Sequence, residues 1–183
     1  MKTIHGFLFA AALLLPAAVF GQGLSAEAQK RVDAVRELAV GWAANPAVVN
    51  AVQAQNASPG PEIEAMNQGA WASLDGHAPL VRALSANDAA KFLREARTDK
   101  VTEAFVSDAK GRKVAFLAKT TNWSHLGKPK HDEPMAGEFW QGKIEVDQSA
   151  GAHQIQIAVP VLSDGKPIGS LVVGIAIGAL QKD

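Results

Sequence analysis

Cysteine is absent from the 183 residues. That absence excludes disulfides, thiol nucleophiles and thiolate metal sites together. The fold must then be held by its core alone, which a chain of this length can do. Tyrosine is absent too, and the aromatic content of 6% comes from seven phenylalanines and four tryptophans. Neither sign of charge is in surplus, with Lys plus Arg and Asp plus Glu at 18 each. Without a basic excess there is no electrostatic footprint for nucleic acid, and no acidic tail is present. The composition, 48% hydrophobic and 20% charged, is that of a globular protein of one domain.

Long apolar runs are also scarce. The one exception is FLFAAALLLPAAVF, residues 7–20, preceded by Lys2. Its length and positive start match an export signal, and VFG at 19–21 offers small residues for cleavage after Gly21. An uncleaved membrane anchor is the alternative, but the run is short of the roughly 20 residues a span needs and Pro16 interrupts it. Cleavage removes Lys2 and no acid, leaving 17 basic against 18 acidic residues. The destination expected is the bacterial periplasm or exterior. The sequons NAS (56–58) and NWS (122–124) matter only in a host that glycosylates them.

After the signal the period of the apolar pattern changes once. Residues 22–101 read as helical. Ser25 is placed to cap a helix in which Val32, Val35, Leu38, Ala39 and Trp42 form one stripe. Asn45-Pro46 ends it and opens a second helix over 46–56. Pro61 opens a third, through about Ser73, and DGHAP at 75–79 is a break. Ser85 with Asp88 resembles a capping box for a helix through about Arg97. Residues 102–183 alternate with period two, and strands are expected at 102–108, 112–119, 143–147, 152–162 and 167–180. Gly111 and the SDGK stretch at 163–166 supply hairpin turns, and DQS at 147–149 another. On the fourth strand Ile155, Ile157, Val159 and Val161 face one way, and Gln154, Gln156, Ala158 and Pro160 the other. The last strand is apolar on both faces, so it lies centrally. The fold class is α+β, a five-stranded antiparallel sheet covered by helices.

Between the second and third strands runs KTTNWSHLGKPKHDEPMAGEFWQG, residues 119–142, where the chemistry concentrates. His125, His131, Asp132 and Glu133 lie close enough in sequence to suggest Zn²⁺. Their spacing is poor for it, because Gly127 and Pro129 argue against a regular helix, so no metal or other cofactor is assigned and the two histidines read as loop residues. None of Ser107, Ser124, Ser149, Ser163 and Ser170 sits in a nucleophile elbow, and no catalytic residues are assigned. A pocket lid fits the stretch better. Trp123 and Trp140 stand where it leaves and rejoins the sheet, and tryptophan walls small polar ligands well. Lys119, Thr121 and Asn122 add polar groups, and Gln156 adds an amide from the sheet, although both Gln154 and Gln156 would equally suit a face open to water. Trp42 and Trp71 read as packing.

EAFVSDAKGRKVAF (103–116) and FWQGKIEVDQSAGAHQIQIAVPVLSDGKPIGSLVVGI (139–175) resemble the hairpin and later sheet of the Cache (PDC-type, PAS-like) extracellular sensor domain. WAANPAVVNAVQAQNA resembles the long helix and following segment ahead of that sheet. The resemblance implies a free-standing exported domain, not an enzyme, that binds a small polar metabolite such as an amino acid, carboxylate or amine. It also implies a membrane receptor or kinase as relay partner. A carboxylate would engage Lys119 or His125, and an amine Asp132, Glu133 or Asp147. Where family members often carry an Asp-Tyr-Trp-type cluster this chain reads TNWSHLG, so the ligand class does not transfer. No output domain or second membrane helix is expected after Leu180. Two other readings stand beside it: a ligand-less interaction module forming a homodimer through its first helix, and a metal-dependent hydrolase using His125 and His131.

Overall fold

A computed structural model describes residues 24–147 and 152–180. The signal peptide expected over 1–21 and most of the turn expected at 147–149 lie outside the described residues. Ser25 caps α1 (Ala26–Ala43), its Oγ accepting from the Ala28 amide at 3.1 Å. Val32, Val35, Ala39 and Trp42 are buried, but Leu38, expected on the same stripe, is 49% exposed. At about 100° per residue Leu38 falls on the margin of the arc that the other four define. Asn45 caps α2 (Pro46–Ala57) through Oδ1 and the Ala47 amide.

The third expected helix is two. After α3 (Pro61–Ala65) Met66 turns extended, and Asn67 restarts the chain as the cap of α4 (Gln68–Ser73), its Oδ1 accepting from Ala70 N. The cap expected at Ser85 is also displaced. Ser85 lies inside α5 (Pro79–Ala86), a helix not anticipated, and Asn87 caps α6 (Asp88–Ala96). Asn87 serves two elements, because its Oδ1 accepts from Ala90 N while its Nδ2 donates to the Val114 carbonyl.

The strands are β1 (Val101–Asp108), β2 (Lys113–Phe116), β3 (Trp140–Asp147), β4 (Ala152–Ser163) and β5 (Lys166–Ala176), all antiparallel in the order β2-β1-β5-β4-β3. The central place expected for the last strand is the place β5 takes, although it stops at Ala176 and passes into the short α8 (Ile177–Leu180). The turn before β5 has Asp164 and Gly165 at φ 49° and 74°, the pair of left-handed residues that a two-residue hairpin requires.

Each face of the sheet has its own core. Ile155, Ile157, Val159 and Val161 of β4 join Leu171, Val173 and Ile175 of β5 under α1, α2 and α6. The opposite face collects Phe105, Phe116, Ala158 and Val172 with Ile63, Trp71, Leu84 and Trp123. Between β2 and β3 the connector docks on the tip of the first hairpin. The His125 amide donates to Gly111 O at 2.9 Å, and Arg112 bridges to Ser124. Gly111 has φ 72°, and a Cβ there would meet the Leu126 nitrogen at 2.3 Å.

Gly169 is the tightest point of the first layer. A Cβ on it would lie 2.3 Å from Ser107 O and 2.9 Å from Val52 Cγ1 of α2. Gly169→Ala is expected to lower stability by about 1–3 kcal/mol through overpacking. Gly76→Ala, with nothing within 4 Å of the new methyl, is the control. Urea unfolding midpoints measure both, and equal midpoints would refute the packing account.

Candidate ligand site beneath the connector

Alternate residues of a strand share a face, and the register aligns three rows across the side away from α1. The first is Lys113–Ser107–Ser170, running β2 to β1 to β5. The second is the apolar row Phe116–Phe105–Val172–Ala158–Trp140. The third is Glu103–Gly174–Gln156. Two polar rows thus flank an apolar strip. Lys113 enters its row through a register shift between Val106 and Ser107, which sets it opposite Ser107.

The connector covers these rows with a helix, contrary to the loop expected from Gly127 and Pro129. Gly127, at φ 79°, makes the entering turn, and Pro129 starts α7 (Pro129–Met135) where its missing N–H costs nothing. The helix turns His131 inward. His125 is 4% exposed and His131 0%, so neither is the solvated loop residue that the sequence suggested. His125 stacks on Phe105 with ring centroids 4.8 Å apart, and its Nδ1 lies 2.5 Å from Lys113 Nζ. His131 Nδ1 meets Ser170 Oγ at 2.8 Å, while its Nε2 is buried with no partner in hydrogen-bonding geometry.

Lys113 is wholly buried, with Ser107 Oγ at 3.5 Å and the Phe105 ring at 4.3 Å. Among the described residues no carboxylate reaches salt-bridge distance of it; the buried Asp108 is engaged by Arg112 at 2.7 Å. Burial first, and the Lys130 charge second, push the Lys113 ammonium well below its usual range. Burial and then Lys113 push His125 down to about 2. His131 and Lys130 are lowered as well, each chiefly by burial.

The third row closes on itself. Lys130 Nζ donates to Gln156 Oε1, Gln156 Nε2 to Glu103 Oε1, and Gln154 Nε2 to the same oxygen at 3.1 Å. Thr102 Oγ1 donates to Gln154 Oε1 at 2.6 Å. Gln154 is only 6% exposed, so it does not face water. Gly174 makes room for the cluster: a Cβ there would lie within 3 Å of Thr102, Gln154 and Glu103 atoms.

The residues singled out from the sequence divide into two groups. Gln156 belongs to the third row, and Trp140 lies beside it with Lys130 Nζ 5.5 Å from its ring centre. Trp123, 3% exposed, packs on Trp71 at 5.1 Å and is part of the core. Lys119 Nζ sits 4.8 Å over the Trp71 ring, and the Thr121 carbonyl accepts from Gln68 Nε2. Asn122 Oδ1 accepts from Lys128 Nζ at 3.4 Å. The segment 119–123 is thus sewn to α4, a contact reinforced where Trp71 Nε1 donates to Thr120 O at 2.7 Å. Sequence reasoning missed Lys113 and Glu103, and it weighed Ser107 and Ser170 only as nucleophiles. The one available signal was a lysine and an acid inside otherwise apolar strands.

Two surface hollows lie elsewhere, one of about 290 Å³ beside Gln55 and Asn87 and one of about 330 Å³ beside Met66 and Leu74. Neither touches the three rows. No helix among the described residues is long and apolar enough to cross a membrane.

No family model matches the chain, and no curated protein does. Solved structures do. The sensor domain of the Vibrio cholerae histidine kinase DctB is 13% identical, with a TM-score of 0.50 over 84% of this chain and 53% of that one. The Escherichia coli DcuS sensor domain is 11% identical, with a TM-score of 0.50 over 85% of this chain and 96% of that one. The ligand-binding domain of the Pseudomonas aeruginosa amino-acid chemoreceptor PctC, solved with GABA, is 14% identical, with a TM-score of 0.47 over 84% and 58%. The chain spans little more than half of the DctB and PctC structures and nearly all of the DcuS structure. The fold is that of the Cache (PDC-type) sensor domains.

Lys113 binds a proton in the unfolded chain up to about pH 10.5 that the folded chain releases earlier. Its contribution to stability is therefore present above about pH 10.5 and is lost as pH falls through the folded value. His125 has the same sign between 6.5 and about 2. Lys113→Met should raise stability near pH 7 by about 1–3 kcal/mol and flatten the rise between neutral and alkaline pH. Denaturant titrations near neutrality and near pH 10 measure this. A variant weaker than wild type with an unchanged pH slope would overturn the assignment.

Proposed function

We propose that the chain is an exported sensor-type domain that binds a small carboxylate on the sheet face beneath α7. The observation that carries this reading is Lys113, a buried amine with no acid at salt-bridge distance among the described residues, close to His125 and under the charges of Lys128 and Lys130. A buried amine without a counter-charge is costly, and an anionic ligand is what would relieve it. The apolar strip Phe105–Val172–Ala158 suits a short carbon chain, and Trp140 closes its outer end. Gln156 and Lys130 stand as second anchors. Glu103, in the third row, suits a ligand that also carries an ammonium group.

Trp123, Lys119 and Thr121 hold the lid to α4 in this reading and Asn122 ties it to Lys128, a support role beside the contact residues. Binding acts by shifting the lid between engaged and released forms, because the Lys130–Gln156 bond must give way to admit a ligand at that end. The receiver of that shift is a membrane receptor or kinase, and the location is extracytoplasmic. The fold shared with the DctB kinase sensor domain supports both. The hydrolase reading is disfavoured by geometry, since among the described residues no three His, Asp or Glu side chains converge to hold a metal.

Thermal unfolding against acetate, lactate, succinate, glutamate and putrescine tests the reading. A carboxylate at about a hundred times its Kd stabilises by about 2.7 kcal/mol, a rise of several degrees. Lys130→Ala and Gln156→Ala should each shrink the rise. Stabilisation by putrescine alone, or by no carboxylate, would sink it.

A further inference from the structure

We infer that a carboxylate entering this site draws a proton into the Lys113–His125 pair, so that anion binding and proton uptake are one event. The inference rests on the carboxylate reading above. The two nitrogens lie 2.5 Å apart, close enough for one hydrogen bond between them, and like-charge repulsion keeps both from being charged at once. Their other near neighbours, Ser107 Oγ and the Phe105 ring, carry no charge.

Glu103 and Asp108 favour the Lys113 ammonium from a distance, but neither stands at salt-bridge distance of it. On β1, Asp108 is taken up by Arg112 and by the amides of Lys110 and Arg112, each amide at 2.9 Å. Glu103 is held by Gln154 and Gln156. Around α7, Lys128, Lys130 and His131 face the pair, and Asp132 accepts from the Gly127 amide at 3.0 Å. β5 offers only the neutral Ser170.

The empty pair is thereby biased to its uncharged form, in line with the lowered basicity of both members, for which burial is the main cause in each. A carboxylate arriving beside Lys113 reverses the balance, because an opposite charge at contact favours the ammonium. The proton comes from solvent, and no covalent bond changes. Affinity must then fall as pH rises, by up to tenfold per unit where the empty pair is neutral and the filled pair is charged.

The test is thermal unfolding with sodium acetate and sodium succinate, each against sodium chloride at matched ionic strength, near pH 6 and near pH 9. The expected result is a carboxylate-specific rise near pH 6 that is lost near pH 9, a Kd increase of at least about tenfold. Lys113→Arg, which cannot shed its proton, should remove the pH dependence. If that variant does not fold, calorimetric titration of wild type with the same salt in Tris and in HEPES counts the protons taken up, with close to one expected. An equal rise at both pH values, or no proton uptake, overturns the coupling while leaving the carboxylate reading intact. No rise at either pH overturns both.

Discussion

Everything in the chain answers to β5, a strand paired on both edges and buried on both faces. A strand in that position exposes nothing to water, so the sheet needs cover on each side. α1 and α2 supply one layer, and α4, α5, α7 and the connector supply the other. The first layer is apolar at the centre of its contact with the sheet, and only at its rim do Gln55, Asn56 and Asn87 bond to the strands. The second is not, because the chain places lysine, serine, glutamate and glutamine on the sheet there and meets them with histidine and lysine from the connector. A domain with one dry face and one polar buried face can keep its fold in the first and hold chemistry in the second.

Much of the architecture was legible because alternation and helical stripes are local properties. Ile155 to Val161 announced their common face, and the doubly apolar last strand announced its central position. Proline and asparagine at 45–46 marked a helix boundary that the structure keeps. The misreadings occurred where a side chain competes with the backbone. Asn67 and Asn87 each cap a new helix with a carbonyl oxygen, and no pattern of apolar residues foretells which asparagine will do so. α5 went unseen because the turn-like DGHAP masked a proline at its usual helix-starting position.

The candidate site was less legible for a physical reason. Whether a histidine between Ser124 and Leu126 faces water or an aromatic ring depends on where a distant hairpin tip lies. Lys113 owes its position to a register shift in β1 against β2, a displacement that periodicity cannot register. The tryptophans drew attention because of their size. Trp123 proved to be core, and the decisive groups are the charged side chains set into apolar strands, where their cost must be offset by something outside the local sequence.

Hairpin tips are ordinarily where a protein tolerates length change, since they end in solvent. The tip at Gly111 is instead a docking surface: its carbonyl holds the His125 amide, and the space a side chain would fill is occupied by Leu126 backbone. An insertion there would lift the lid and carry His125 away from Phe105. A segment that looks like a permissive loop therefore acts as a fixed hinge post.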